Sequence, residues 1–103
     1  MRQQLSQDEL SNYINRDDLI FVYGYTPICA TCVLAEQFLN IATEVVTCEV
    51  VKVDLNYQEP FIEAYQIKSV PVLMAFRDGV LLKSLYRFHS VTNVVQFLKN
   101  IDD

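Results

Sequence analysis

The sequence has no tryptophan, one histidine, two glycines and three prolines, and it has no apolar run long enough to cross a membrane. So little glycine and proline excludes collagen-like and low-complexity chains. The longest apolar run, residues 19–25, covers seven residues, whereas a helix that spans a bilayer needs about 20. With a net charge of −5 and no cluster of lysine or arginine, the chain is expected to bind neither membranes nor nucleic acid.

Apolar residues are abundant, which predicts a globular core. Leu, Ile, Val and Phe supply 37 of the 103 residues, far above the roughly 20% below which chains stay disordered. We expect a single domain over residues 1–103, because domains typically run to about 150 residues. The first ten residues lack the apolar segment of a secretion signal, so a cytoplasmic location is expected. In that reducing setting cysteines are more often catalytic, metal-binding or buried than part of a disulfide scaffold.

Hydrophobic patterning predicts a continuous alternation of helices and strands. The predicted helices cover residues 6–15, about 29–45, the stretch after Pro60 and the stretch after Ser90; the strands cover residues 19–25, 50–53, 72–77 and 80–86. The sequence also allows a further short strand near residues 2–5. The strand–helix–strand start implies parallel pairing with a right-handed crossover. The sequence therefore predicts an α/β protein with a mixed sheet and helices on both faces.

Two details of this arrangement can be tested directly. Apolar residues recurring at helical intervals predict one buried stripe on the second helix, formed by Ala30, Val33, Leu34, Gln37, Phe38, Ile41, Ala42 and Val45. The Asp-Gly pair at residues 78–79 predicts a two-residue hairpin turn. That turn places Phe76 opposite Leu81 and Val72 opposite Leu85.

Cys29 and Cys32 form a pair with reactive spacing. Cys29 falls where a central strand gives way to a helix, and unpaired backbone amides and the helix dipole stabilise a thiolate there. Cys32 follows one helical turn later and deeper in the element. This asymmetry predicts that Cys29 attacks a substrate disulfide and that Cys32 then attacks the mixed disulfide to release the product.

Four segments, in this order, resemble the thioredoxin family: FVYGYTPICATC at residues 21–32, VKVD at 51–54, SVPV at 69–72 and FRDG at 76–79. The resemblance covers essentially the whole chain and is nearest to small bacterial thioredoxin-like proteins with threonine before the second cysteine. It implies the thioredoxin fold, a three-layer α/β/α structure with a central mixed sheet. It also implies a monomeric thiol–disulfide oxidoreductase without a bound cofactor. Its substrates would be protein or small-thiol disulfides, and its electrons would come from a reductase or a thiol pool.

The resemblance also implies roles for individual residues. Pro71, after Val70, matches a cis-proline that packs against the cysteine pair and presents backbone groups to the substrate. Tyr25 matches an aromatic position at the rim of the site, and Lys52 matches a lysine near its buried end. Ile28 and Phe88 complete the expected substrate surface.

Three positions depart from the family pattern. Tyr23 replaces the acid six residues before the first cysteine, Ala30-Thr31 replaces Gly-Pro between the cysteines, and an expected glycine is replaced near Arg87 and Phe88. A phenol is a poor base at neutral pH, so resolution is expected to be slow, with Tyr23 donating a hydrogen bond to the second thiolate instead. Thr31 adds donors beside the first thiolate, which predicts a potential less negative than that of thioredoxin. The altered rim indicates different partners.

Other interpretations remain open at this point. A CxxC pair can be half of a zinc site, but Cys48 and His89, the remaining candidate ligands, are far apart and unpaired, so no metal is predicted. Cys48 is interpreted either as a small apolar residue or as a regulatory thiol. His89 is assigned no role. The chain could also be a thioredoxin-fold interaction module whose cysteines turn over poorly.

Overall fold

The computed structural model describes residues 1–3 and 5–101, which form one five-stranded sheet between two pairs of helices. The elements, in chain order, are β1 (Arg2–Gln3), α1 (Gln7–Ile14), β2 (Ile20–Tyr25), α2 (Ala30–Val45), β3 (Val50–Asp54), a 3-10 turn (Leu55–Tyr57), α3 (Glu59–Tyr65), β4 (Val72–Arg77), β5 (Val80–Leu85) and α4 (Val91–Lys99). The short strand that the sequence allows near residues 2–5 is present as β1. Residue 4 lies outside the described residues. No helix in the described part of the chain is both long and apolar enough to span a bilayer.

The sheet is mixed, with strand order β1-β3-β2-β4-β5. Strands β1, β3 and β2 run parallel, whereas β4 is antiparallel to both β2 and β5. Helices α1 and α3 cover one face, and α2 and α4 cover the other. The predicted three-layer α/β/α arrangement is confirmed.

Side-chain caps place the helix starts where the sequence indicates. The Ser6 hydroxyl accepts a hydrogen bond from the Glu9 amide at 3.1 Å, and the Glu9 carboxylate accepts one from the Ser6 amide at 2.9 Å. Ser90 and Asn93 form the same reciprocal pair at the start of α4. These contacts satisfy backbone donors that a helix leaves unpaired.

Strand β2 divides the core into two apolar clusters. Alternate residues of a strand point to opposite faces of the sheet. Ile20 and Val22 therefore pack with α1 and α3, whereas Phe21 and Tyr23 pack with α2 and α4. This alternation directs the Tyr23 ring toward the helix that carries the cysteines.

Helix α2 does not bury the predicted stripe. Its fully buried residues are Cys32, Ala35, Leu39 and Ala42. Of the predicted stripe only Ala42 belongs to this set; Val33, Ile41 and Val45 are exposed by 60%, 49% and 62%. The prediction was wrong because α2 is apolar on more than one side, so periodicity alone does not say which side meets the sheet. The small side chains at 32, 35 and 42 mark the contact, since they let the helix approach the sheet closely.

The hairpin register is confirmed at one end and wrong at the other. Phe76 pairs with Leu81 as predicted, but Leu73, not Val72, pairs with Leu85, because β5 carries an extra residue at a β-bulge. The turn itself has φ values of 54° at Asp78 and 76° at Gly79, as primed two-residue turns require.

Candidate active site

Cys29 and Cys32 lie at the start of α2 and are joined by a disulfide. Their Cα atoms are 5.2 Å apart. Cys29 is the N-cap residue of the helix and is half-buried, whereas Cys32 in the first turn is only 3% exposed. Cys29 is therefore the more accessible residue of the pair.

Two donors surround the Cys29 sulfur. The Cys32 amide donates to Cys29 Sγ at 3.1 Å, and the Thr31 hydroxyl oxygen lies 3.4 Å from the same atom. Both belong to the first turn of α2, where the helix dipole adds partial positive charge. After reduction these groups stabilise negative charge on the Cys29 sulfur.

Tyr23 lies directly beneath the cysteine pair, fully buried. Its hydroxyl donates to the backbone carbonyl of Cys32 at 2.6 Å. The single hydroxyl proton is therefore engaged by the carbonyl rather than by the Cys32 sulfur, which corrects the sequence-based expectation. The carbonyl can accept this bond in addition to its bond within the helix, because a carbonyl oxygen has two lone pairs. Burial, with a smaller contribution from the charge of Glu36, raises the pKa of Tyr23 far above its ordinary value, so the phenol stays protonated.

A cavity of about 320 Å³ opens on one side of the disulfide, with Tyr25, Cys29, Cys32, Glu36 and Lys52 among its lining residues. Lys52 Nζ lies 2.7 Å from Glu36 Oε1 and 4.6 Å from the centre of the Tyr25 ring. The two predicted residues, Tyr25 and Lys52, thus lie together beside the cysteines. Sequence reasoning missed Glu36. The signal was its position four residues after Cys32, which places both side chains on one side of a helix.

A second cavity, of about 360 Å³, brings together the predicted Thr31, Val70, Pro71 and Phe88. The Val70–Pro71 peptide bond is cis. The Phe88 ring meets the Tyr23 ring edge-on, with 6.1 Å between centroids, so Tyr23 supports this cavity from below. Ile28 lines neither cavity and is 99% exposed in the loop just before Cys29. Four further lining residues had no predicted place in the site: Leu34, Ala35, Tyr86 and His89.

A metal site has no support among residues 1–3 and 5–101. No group of three or more His, Cys, Asp or Glu side chains is placed there to hold an ion. Structural zinc needs four ligands, so a zinc site built on Cys29 and Cys32 would lack a third protein ligand within those residues. Cys48 is a half-buried free thiol.

We expect Cys29 to be the cysteine that is alkylated first in the reduced protein at mildly acidic pH. The Cys32 sulfur is shielded from solvent, and burial raises the pKa of the Cys48 thiol, which leaves less thiolate at that position. Iodoacetamide labelling followed by peptide mass spectrometry measures the order. Earlier labelling of Cys32 or Cys48 would contradict the assignment.

Sequence comparisons identify known proteins that are similar to this chain. The sequence model of the family "Thioredoxin" matches residues 2–100. The thioredoxin-like protein YusE of Bacillus subtilis (strain 168) is 35% identical over 97 residues, which cover 93% of this chain and 90% of YusE.

Solved structures extend the likeness to the fold. A Plasmodium falciparum thioredoxin matches with a TM-score of 0.84 at 20% identity, covering 96% of this chain and 97% of its own. A thioredoxin from Trypanosoma brucei brucei matches with a TM-score of 0.81 at 21% identity, covering 97% and 88%. These structures show the thioredoxin fold. Since the family model also spans nearly the whole chain and YusE is similar along almost its full length, this chain belongs to the thioredoxin family.

Proposed function

We propose that this protein is a thiol–disulfide oxidoreductase that reduces or exchanges protein disulfides, or mixed disulfides with a small thiol. One observation carries the proposal: an accessible cysteine at a helix start is bonded to a buried cysteine in the next turn. An accessible thiolate that is stabilised by donors can attack, and a buried thiol within bonding distance can resolve the product.

The chemistry balances as two exchange steps. The Cys29 thiolate attacks one sulfur of the substrate disulfide, that bond breaks, and the other substrate sulfur leaves as a thiolate that takes up a proton. Cys32 then loses its proton and attacks Cys29 Sγ, so the second substrate sulfur leaves. The products are two substrate thiols and the Cys29–Cys32 disulfide seen in the structure. Two electrons from a reductase or thiol pool restore the dithiol.

The surfaces near Cys29 suit a polypeptide or small-thiol substrate. Val70, Pro71 and Phe88 line a cavity that Thr31, in the first turn of α2, also borders. Ile28, the residue before Cys29, is exposed. We propose that these residues contact the substrate. Both cysteines come from one chain and carry the electrons themselves, so a monomer without a bound cofactor suffices. The free thiol of Cys48 fits a reducing compartment such as the cytoplasm.

A coupled disulfide-reduction assay tests the proposal. We expect turnover of an aromatic or protein disulfide with a dithiol or a reductase system as donor, complete loss in Cys29→Ser, and retention in the matched control Cys48→Ser. A wild-type protein that shows no turnover with any donor would favour an interaction module instead. That second candidate draws on Tyr23 and on the rim near Arg87 and Phe88, which depart from the family pattern.

Thr31 is expected to raise the reduction potential above the roughly −270 mV of thioredoxin. Its hydroxyl stabilises the Cys29 thiolate, hence the reduced form. Thr31→Val removes that donor at similar volume. A hydrogen bond worth about 1 kcal/mol corresponds to roughly 20 mV for a two-electron couple, so the variant's potential should fall by about that amount.

Equilibration of the Cys29–Cys32 pair against a glutathione redox series measures both values. Thr31→Ser is the control, because it keeps the hydroxyl and should keep the potential. A wild-type reduction potential at or below that of thioredoxin, or an unchanged potential in Thr31→Val, would show that this hydroxyl does not raise the reduction potential of the pair.

A further inference from the structure

The resolution step needs a group that takes the proton from Cys32, and Tyr23 does not provide one. Its hydroxyl already donates to the Cys32 carbonyl at 2.6 Å. Slow resolution was expected because a phenol is a poor base at neutral pH. Among the described residues that line the cavity next to Cys32, however, one carries a carboxylate, and that residue is Glu36.

Glu36 is placed to reach the Cys32 sulfur. The two residues are four positions apart on α2, and Cβ atoms at that spacing are about 5–6 Å apart on the same side of a helix. Both side chains border the same 320 Å³ cavity. The cavity that they share is large enough for a water molecule, whose share of liquid volume is about 30 Å³. Proton transfer can therefore run directly or through one water.

Lys52 holds the carboxylate in this position. Its ammonium lies 2.7 Å from Glu36 Oε1, and both side chains are largely shielded, with exposures of 17% for Lys52 and 28% for Glu36. The Tyr25 ring packs under the same ammonium. When Glu36 gains a proton and Cys32 loses one, the Lys52 charge stays in the cavity and balances the new thiolate. The ion pair thus orients the acceptor and compensates the charge that the transfer moves.

We propose that Glu36, oriented by Lys52, accepts the Cys32 proton as the mixed disulfide on Cys29 is resolved. The inference rests on the proposed function. The proton moves from Cys32 Sγ to the Glu36 carboxylate, the Cys32–Cys29 bond forms, and the bond from Cys29 to the substrate sulfur breaks. The electron pair leaves on that substrate sulfur. Glu36 then returns its proton to solvent through the open side of the cavity.

An aromatic disulfide whose thiol absorbs visible light separates the two steps in a single-turnover experiment. The first release of coloured thiol reports attack by Cys29, and the second reports resolution by Cys32. The reaction is run in a Cys48→Ser background, so that both signals come from the active-site pair. Glu36→Gln is compared with Glu44→Gln, which removes a carboxylate from an exposed position of the same helix.

At neutral pH we expect Glu36→Gln to slow the second phase at least about tenfold, a modest share of the roughly 10²–10⁴-fold that a general base contributes. The first phase should stay unchanged. Near pH 9.5 an ordinary thiol ionises without a base, so the two rates should converge there. Glu44→Gln should match wild type at every pH.

Three results would overturn the inference: an unchanged or faster second phase at neutral pH, an equal slowing at all pH values, or loss of the first phase together with the second. The last two would indicate a structural role for Glu36. If the protein with Glu36 intact shows no first phase, the proposed oxidoreductase function itself fails, so the two failures are distinguishable.

Discussion

Cys32→Ser is expected to trap substrate as a mixed disulfide on Cys29 that outlives the wild-type intermediate by more than about a thousandfold. In the wild type the resolving thiol is already within bonding distance of Cys29, with Cα atoms 5.2 Å apart. Well-oriented intramolecular groups reach effective concentrations of about 10⁵ M or more, and millimolar external thiols cannot compete with that. Removing the internal thiol therefore leaves only slow release by solvent thiols. Serine preserves the size of the side chain in the buried site.

Non-reducing electrophoresis and intact mass spectrometry measure the trapped species. Its mass should exceed that of the variant by one substrate thiol group, and peptide mapping should place the addition on Cys29. The reciprocal variant, Cys29→Ser, should trap far less, because the Cys32 sulfur is shielded from solvent. Equal trapping by both variants, or addition at Cys48, would contradict the proposed roles of Cys29 and Cys32.

Leu39→Ala is expected to destabilise the protein by roughly 2–5 kcal/mol, the usual range for deleting a buried leucine side chain. Leu39 is fully buried among Phe21, Tyr23 and Val94, between α2, α4 and the sheet. Small domains have about 5–15 kcal/mol of stability in total, so this single change removes a large share.

Ile41→Ala provides the matched control on the same helix. Ile41 has the same side-chain volume but is 49% exposed, so its replacement should change the free energy of unfolding by about 0.5 kcal/mol or less. Urea denaturation monitored by circular dichroism measures both variants. If Ile41→Ala cost as much as Leu39→Ala, the stripe predicted from the sequence would be the buried one, and the orientation of α2 described above would be wrong.

Local chemistry made the element boundaries predictable. The helix starts near Ser6 and after Ser90 and the Asp-Gly turn at residues 78–79 appear in the structure where the sequence predicts them. Each depends on residues within a few positions of one another, so the information is contained in a short segment. The alternation of β2 is local in the same sense, because successive strand residues must face opposite sides of the sheet.

Residues close in sequence determine neither the side of α2 that packs on the sheet nor the bulge in β5. An apolar residue such as Ile41 satisfies a helical repeat as well as Leu39 does, and only the distance between helix and sheet selects the face that carries Ala35 and Ala42. The hairpin turn aligns Phe76 with Leu81, but the extra residue in β5 shifts every pair beyond it. That shift arises from pairing along the whole strand rather than from the turn.

The candidate site shows the same division. Residues close in sequence are enough to indicate that Cys29 begins a helix and that Cys32 follows one turn later, because both facts concern a single strand–helix junction. The packing of separate elements sets two further contacts. The Tyr23 hydroxyl binds the Cys32 carbonyl, and Lys52, from the neighbouring strand β3, pairs with Glu36 beside the cysteines. These contacts join residues from separate elements, whose approach is set by the packing of α2 on the sheet. No periodicity along the chain encodes that distance.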